Sequence, residues 1–231
     1  MSSTPAVDAA GTSVERAYEA LRTMAIDFNL RPGERVNEVE LARRFQMSRV
    51  PIREAMNRLV SEGLLTVLPK QGFSCRRLSA TEIVSLYEVR GDLEAAAAEK
   101  AARDASVESL TGLEAFARGM LDAVGAPSVA AMVARDEEFH MQMAMLAGNA
   151  ERAAMLRNIN ARIRFVRRIN LEVPARMRKS LEEHVAIAQA LGRRDGQLAA
   201  KLVRRHLNLS ADEAVEAVSR GLALLYADRI A

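Results

Sequence analysis

Three histidines and one aspartate are the side chains of this sequence best suited to hold a metal ion. Asp136 and His140 are four positions apart, so at about 100° per residue they share one face of a helix. That face also carries the apolar residues Val129, Met132, Val133, Phe139 and Met143. His184 and His206 likewise fall among apolar residues at helical spacing, and the chain contains no other histidine. All three imidazoles are therefore predicted to point inward.

The predicted depth of these side chains is also consistent. At 1.5 Å per helical residue, His184 lies about 12 Å before Gly192, and His206 lies about 16 Å after Asp195. A hairpin at this Gly-Arg-Arg-Asp-Gly turn brings the two imidazoles nearly level. One carboxylate and three imidazoles form a divalent-metal site, suited to zinc first and also to nickel or manganese. The alternative for any single inward histidine is a core residue hydrogen-bonded to the backbone.

Two arginines are also predicted to face inward. Arg90 follows the stripe Ile83, Leu86, Leu93 and Ala97, and Arg162 falls within the arc Met155, Leu156, Ile159, Val166 and Ile169. A guanidinium keeps its charge, so an inward arginine requires an anion. We expect a small carboxylate effector, with an ion pair to Asp136, Glu94 or Glu138 as the alternative.

The elements that position these residues are predicted to be helices. The sequence is rich in Ala, Leu, Arg, Glu and Met, and 49% of it is hydrophobic, which favours a mainly α fold. From residue 79 onward, breaks at Gly, Pro and Asp delimit helices over 80–103, 106–123, 127–147, 151–171, 175–192 and 196–218. About six antiparallel helices form a bundle with a pocket between facing helices. We assign residues 78–231 to this metal- and effector-binding domain.

Residues 12–77 are predicted to form a winged helix-turn-helix. A helix over 14–30 ends at a Pro-Gly turn, Asn37 caps a short second helix, and Ser48 caps a third. Arg49 and Arg53, four positions apart near the start of the third helix, can reach guanine edges or phosphates in a major groove. Residues 64–68 and 73–76 then form a β-hairpin, with Gly72 near its tip. An Arg pair that is merely solvated is the alternative.

Composition limits which partners and which cellular compartment are expected for this protein. The 33 Lys and Arg against 30 Asp and Glu give a net charge of only +3, so overall charge says little about a polyanionic partner. The single cysteine, Cys75, excludes an internal disulfide framework and fits a reducing compartment. Residues 1–11 are predicted to be a disordered tail without the pattern of a signal peptide, and no apolar run is long enough to span a membrane. A cytoplasmic protein with no membrane partner is expected.

The first half resembles the winged helix-turn-helix of GntR-family transcription regulators. The matching pieces are Arg31-Pro-Gly-Glu-Arg, Glu40-Leu-Ala-Arg-Arg-Phe, Ser48-Arg-Val-Pro-Ile-Arg-Glu-Ala-Met and Glu62-Gly-Leu-Leu. The resemblance implies DNA contacts by Ser48, Arg49, Arg53 and Gly72. Val39 stands where some members of the family have an Arg, so that contact is not carried over.

The second half resembles the ligand-binding domain of the FadR subgroup of that family. The matching pieces are Arg90-Gly-Asp-Leu-Glu-Ala-Ala-Ala, Asp136-Glu-Glu-Phe-His, Ala147-Gly-Asn, Glu183-His and Arg205-His-Leu. The resemblance implies the same metal ligands: Asp136, His140, His184 and His206. It also places Asn149 near the pocket, with a helix C-cap as the alternative, and implies small organic acids as effectors.

The sequence therefore predicts a homodimeric transcription regulator of double-stranded operator DNA. A carboxylate would complete the coordination of the metal, pair with Arg90 or Arg162 and change the affinity for DNA, most simply in a repressor. One alternative keeps DNA binding but makes the metal structural or itself the sensed species. The other is a metal-dependent enzyme with an appended DNA-binding domain, although the sequence has no HExxH or nucleophile motif.

Overall fold

The computed structural model describes residues 12–125, 128–209 and 211–227. The chain divides into two compact units, with the boundary between Arg77 and Leu78. The described residues form ten helices and one small sheet, so the predicted mainly α class is confirmed. The predicted disordered tail over 1–11 lies outside the described residues.

Three helices of the first unit form its helix-turn-helix. They are α1 (Ser13–Ile26), α2 (Glu38–Arg44) and α3 (Arg49–Ser61). Asn37 caps α2 as predicted, because its side chain accepts hydrogen bonds from the backbone N–H groups of Val39 and Glu40. Helix α3 buries Ile52, Ala55, Met56 and Leu59 against α1 and α2. This packing leaves the opposite face of α3 exposed.

A three-stranded antiparallel sheet completes the first unit. Its strands are β1 (Arg35–Val36), β2 (Leu65–Leu68) and β3 (Gly72–Cys75), in the order β1-β3-β2. The predicted β2–β3 hairpin is confirmed, with Leu68 paired to Gly72 beside the turn. Strand β1 was not predicted, because two residues are too short for an alternating pattern to be recognised.

The second unit is a bundle of seven described helices. They are α4 (Ala80–Asp104), α5 (Val107–Asp122), α6 (Val129–Leu146), α7 (Ala150–Leu171), α8 (Pro174–Gly192), α9 (Gly196–His206) and α10 (Ala211–Tyr226). The prediction of one helix over 196–218 is wrong, since α9 ends at His206 and α10 begins at Ala211. The apolar pattern continues through the break at Leu207 and Leu209, which concealed it in the sequence.

The core of this unit lies mainly between α4, α5, α6, α8 and α9. Its buried residues include Phe139, Met143, Leu181, Leu191 and Val203. Helices α4 and α9 pack against each other, as do α5 and α8, and α6 packs on α7. No helix in the described part of the chain combines the length and the apolar character that a membrane crossing requires.

Candidate DNA-binding and metal-binding sites

Three of the four predicted DNA-contacting residues lie together at the start of α3. Ser48 occupies the N-cap position of α3 as predicted, but its side chain makes no capping hydrogen bond. Ser48, Arg49 and Arg53 are all exposed. The hydroxyl and the two guanidinium groups are thus presented on the face of α3 that the core does not use.

Glu38 forms ion pairs with both of these arginines. Arg53 donates from Nε and Nη2 to the two carboxylate oxygens of Glu38, at 3.2 and 3.1 Å. Nη2 of Arg49 lies 3.7 Å from the same carboxylate. Glu38 was not predicted as their partner, because it is fifteen residues from Arg53 and because acidic residues are common in the first turn of a helix.

The β2–β3 hairpin, which we call the wing, places its turn near the start of α3. Gly72 has a φ of +88° and Lys70 a φ of +61°, so both adopt the left-handed conformation that glycine tolerates best. A Cβ built on Gly72 would lie 3.8 Å from Oε1 of Glu38. The hairpin tip and the start of α3 therefore share Glu38 as a neighbour, and a groove between them is lined by Arg35, Arg49, Gln71 and Gly72.

In the second unit, the three histidines bring their Nε2 atoms close together. Nε2 of His206 lies 3.1 Å from Nε2 of His184 and 3.3 Å from Nε2 of His140. Oδ1 of Asp136 lies 3.6 Å from Nε2 of His184. We call these four residues the Asp–His cluster. It is supplied by α6, α8 and the last residue of α9, as the helical-face pattern predicted.

The outer nitrogens of two imidazoles each face a carboxylate. Nδ1 of His140 lies 2.6 Å from Oε2 of Glu94, and Nδ1 of His206 lies 2.8 Å from Oε2 of Glu183. A carboxylate accepts hydrogen bonds, so each Nδ1 carries the proton and each Nε2 presents its lone pair to the centre of the cluster. His184 differs: its ring stacks on Phe139 with 4.3 Å between centroids, and its Nδ1 has no hydrogen-bond partner among the described residues.

The charge states suit a cation. Burial, followed by the nearby charge of Arg90, lowers the pKa of His140 well below its ordinary value. Burial and then His206 do the same for the pKa of His184. Burial alone would raise the pKa of Asp136, but the positive charge of Arg167 above all outweighs it and holds that pKa below its usual range. Two neutral imidazoles and an ionised carboxylate are the forms that bind metal.

The residues present fit a divalent ion. The Nε2 atoms of His140 and His206 lie 3.3 Å apart and have no proton between them once both outer nitrogens hold theirs. The potential ligand atoms of the three histidines all lie within 4.8 Å of one another. Three imidazoles and one carboxylate are a donor set that zinc, nickel and manganese accept, and the set contains no thiolate to select among them.

Asp136 is fixed from its other side by a buried arginine. Nε of Arg167 lies 3.1 Å from Oδ2 of Asp136, and Nη2 of Arg167 donates to Oδ1 of Asn160 at 2.9 Å. Arg167 is 3% exposed, yet its Nη1 has no hydrogen-bond partner among the described residues. This guanidinium thus orients the carboxylate, and its Nη1, 3.9 Å from Oε1 of Glu137, makes no hydrogen bond to the described residues.

A cavity of about 180 Å³ opens beside the Asp–His cluster. Arg90 lines it, as do Asp136, His140, Arg167 and His206. Arg90 is 1% exposed and donates from Nε to Glu94 at 2.6 Å, while its Nη2 has no hydrogen-bond partner in the described part of the chain. The ion pair foreseen as an alternative is therefore present, and the arginine still has donor capacity beside the cavity.

The cavity wall carries more basic than acidic side chains. The basic ones are Arg90, Arg167, Arg176, Lys179 and Arg205, and the acidic ones are Asp136, Glu183 and Glu213. Lys179 and Arg205 are exposed, so the cavity reaches solvent on that side. Apart from any charge that a metal ion adds, this excess of basic side chains favours an anionic occupant of the cavity.

Two residues predicted to bind the effector lie elsewhere. Arg162 is not among the cavity-lining residues and donates to Glu82 on α4. Asn149 is exposed and is the N-cap of α7, where it accepts from the backbone N–H of Arg152 at 3.0 Å, rather than the C-cap of α6. Asn149 is therefore occupied in starting a helix, outside the cavity lining.

Arg167 was not predicted because one residue assigned to the inner face of α7 is exposed, although the other four are buried. Met155 was counted as inward but is 55% exposed, which shifted the predicted arc toward Arg162. Asn160 and Arg167 are seven positions apart and share a face with the buried Leu156 and Ile163. A seven-residue spacing of buried polar residues was the signal that could have found them.

A winged helix-turn-helix followed by a helical domain with an anion-favouring cavity defines a class of DNA-binding regulators with a ligand-binding domain. The family model "Bacterial regulatory proteins, gntR family" matches residues 13–74, and the "FCD domain" model matches residues 85–209.

Relatives of known sequence agree with these models. The "Nta operon transcriptional regulator" of Aminobacter aminovorans is 37% identical over 203 residues, covering 88% of this chain and 95% of that protein. The "HTH-type transcriptional repressor RspR" of Escherichia coli K12 is 25% identical and covers 84% of this chain and 85% of its own length. The solved structure of E. coli McbR/YncC superimposes with a TM-score of 0.69 at 20% identity, over 95% of this chain and all of that one.

This chain belongs to the GntR family of bacterial transcription regulators, with an FCD domain after the DNA-binding unit. Its function is accordingly DNA-binding regulation of transcription and not enzymatic turnover.

Proposed function

We propose that this regulator is a repressor whose DNA affinity is set by a small carboxylate bound beside a divalent metal ion. The single observation that carries the proposal is the position of Arg90 and Arg167. Both are buried in the wall of the cavity beside the Asp–His cluster, and each has a terminal guanidinium nitrogen without a hydrogen-bond partner among the described residues.

The DNA-binding half of the proposal assigns Ser48, Arg49, Arg53 and Gly72 to operator contacts. Glu38 holds the two guanidinium groups close together at the start of α3. Because DNA offers phosphate and guanine acceptors, it can replace Glu38 as the partner of these exposed arginines. The positive φ of Gly72 suits a close backbone approach of the wing to DNA.

The sensing half assigns Asp136, His140, His184 and His206 to the metal, for which zinc is the first choice. When bound, the ion supplies positive charge and open coordination positions for a carboxylate. Arg90 Nη2 and Arg167 Nη1 would donate to the carboxylate from the same wall. Arg162 is not part of this proposal, because Glu82 occupies it outside the cavity.

Repression and dimerisation complete the proposal. One helix-turn-helix reads few base pairs, so a homodimer on two half-sites is expected to give the necessary affinity. The E. coli relative is named a repressor, which supports the same sign of regulation here. An effector acts by binding two conformations of the regulator with different affinities.

Titration calorimetry tests the proposal with a panel of small mono-, di- and tricarboxylates. Zinc-loaded protein is expected to bind at least one acid, and the chelated protein is expected to bind it much more weakly. Arg90→Met should weaken binding to the loaded protein, whereas Arg162→Met is the matched control and should not. Equal binding with and without metal would contradict the proposal, and loss of DNA binding on chelation alone would favour metal sensing.

A further inference from the structure

Glu94 is a buried carboxylate with two partners of different function. It is 0% exposed and lies on α4. Its Oε1 accepts from Nε of Arg90 at 2.6 Å, and its Oε2 lies 2.6 Å from Nδ1 of His140. One side chain therefore contacts both the arginine beside the cavity and a residue of the Asp–His cluster.

We infer that Glu94 is a positioning residue that couples the metal centre to the anion-binding arginine. The inference rests on the proposed function and deepens it. Through Oε2, Glu94 fixes the ring of His140 with Nε2 toward the metal. Through Oε1, it fixes the guanidinium plane of Arg90, so that Nη2 is left for the carboxylate. Neither group can turn without disturbing the other through Glu94.

Glu183, the second carboxylate that faces an imidazole, does not connect two groups in this way. Glu183 lies 2.8 Å from Nδ1 of His206, but its side chain is 17% exposed, and Arg90 is not among its contacts. Water can replace an acceptor at an exposed position, whereas it cannot easily enter the position of Glu94. Glu183 is therefore expected to support one histidine only, and to do so more weakly.

The chemistry of the carboxylate explains why Glu94 can serve both partners. Each of its two oxygens is an acceptor, whereas the isosteric amide of glutamine has only one. In Glu94→Gln, the remaining oxygen can accept from His140 or from Arg90 but not from both at full strength. The amide nitrogen then faces a donor, which is an unfavourable contact in a buried site.

Zinc affinity, measured by competition with a chromogenic chelator, tests the first half of the inference. Glu94→Gln is expected to weaken zinc binding by about 10–100-fold, the usual effect of losing a partner of a ligating histidine. Glu183→Gln should have a smaller effect. Glu82→Gln, on the same helix but paired with Arg162, is the matched control and should leave the affinity unchanged.

A double-mutant cycle on zinc alone tests the coupling. Arg90→Met removes the competitor for the single amide oxygen, so that in the Glu94→Gln background it should restore part of the zinc affinity. The gain should exceed the change that Arg90→Met causes in the wild-type background. Equal effects in the two backgrounds would show that Glu94 does not connect the two groups, and would overturn the inference.

A spectroscopic readout separates positioning from a general loss of structure. In cobalt-loaded protein, the ring N–H proton of a ligating histidine is a hyperfine-shifted exchangeable NMR signal. Glu94→Gln should shift or lose the signal of His140, whereas Glu183→Gln should affect that of His206 instead. The same spectrum in wild type and Glu94→Gln would contradict the inference.

Three further outcomes can be distinguished. If circular dichroism shows that Glu94→Gln does not fold, Glu94→Asp replaces it, because the shorter carboxylate keeps its charge but draws back from His140; unchanged zinc affinity again overturns the inference. If the wild-type protein binds neither zinc, nickel nor manganese, the proposed function itself is wrong. If wild type binds zinc and Glu94→Gln binds it equally well, only the coupling is wrong.

Discussion

Zinc should stabilise the second unit, and His184→Ala should abolish that effect. His184 is fully buried, and its Nε2 is 3.1 Å from that of His206 and 3.6 Å from Oδ1 of Asp136. Removing it takes one ligand from a set of four. The zinc-dependent stabilisation therefore depends on His184 more than on any side chain outside the cluster.

The size of the effect follows from binding linkage. Free zinc at 100 times its dissociation constant stabilises the folded state by about 2.7 kcal/mol. For a unit of the size of residues 78–231, this corresponds to an increase in Tm of about 5–11 °C. Calorimetric scans of wild-type protein with zinc and with chelator measure the difference directly.

The comparison within each variant removes the main ambiguity. His184→Ala also opens a hole in the core, which lowers the Tm without metal, but the zinc-induced difference is taken within one variant. Gln189→Ala, on the same helix α8 and outside the cluster, is the control and should keep the full increase. An equal zinc-induced increase in wild type and His184→Ala would refute the assignment of the cluster.

Three further predictions address the DNA-binding surface, the ion pair between Asp136 and Arg167, and the buried cysteine. Arg49→Ala should weaken binding to an operator selected from random DNA by about 1–3 kcal/mol in a gel-shift titration, whereas Arg178→Ala, an exposed arginine on α8, should not; equal losses would mean that α3 does not face DNA. Asp136→Ala should lower the free energy of unfolding of the chelated protein by about 3–5 kcal/mol, because it leaves the buried guanidinium of Arg167 without its carboxylate. Glu82→Ala, which breaks a partly exposed ion pair, should lower it by at most about 1 kcal/mol, and similar losses for the two variants in denaturant titrations would contradict this contrast. Burial raises the pKa of the Cys75 thiol to about 11, so Ellman's reagent at pH 8 should modify the unfolded protein only, and fast reaction of the native protein would contradict that burial.

The fold and much of the candidate site could be predicted because their signals are local. Asn37 and Ser48 mark the starts of α2 and α3, and the four positions between Asp136 and His140 define one helical face. The end predicted for the first helix at residue 30 is wrong, because α1 already ends at Ile26. Because the chain has only three histidines and all three fall on apolar helical faces, their inward orientation could be predicted from the sequence alone.

What could not be predicted depends on contacts between distant segments. Glu94 and His140 are 46 residues apart, and no periodicity relates them. Arg167 replaced Arg162 beside the cavity because one exposed methionine, Met155, displaced the predicted face of α7. In each case the local pattern is compatible with two arrangements, and tertiary packing selects one.

X-ray absorption at the zinc edge of the loaded full-length protein tests the central claim most directly. The account predicts one zinc per chain, bound by nitrogen and oxygen at about 2.0–2.2 Å with the multiple scattering of three imidazoles, and one imidazole fewer in His140→Ala. Zinc coordinated by sulfur, or a spectrum that His140→Ala leaves unchanged, would contradict the claim that Asp136, His140, His184 and His206 hold the metal.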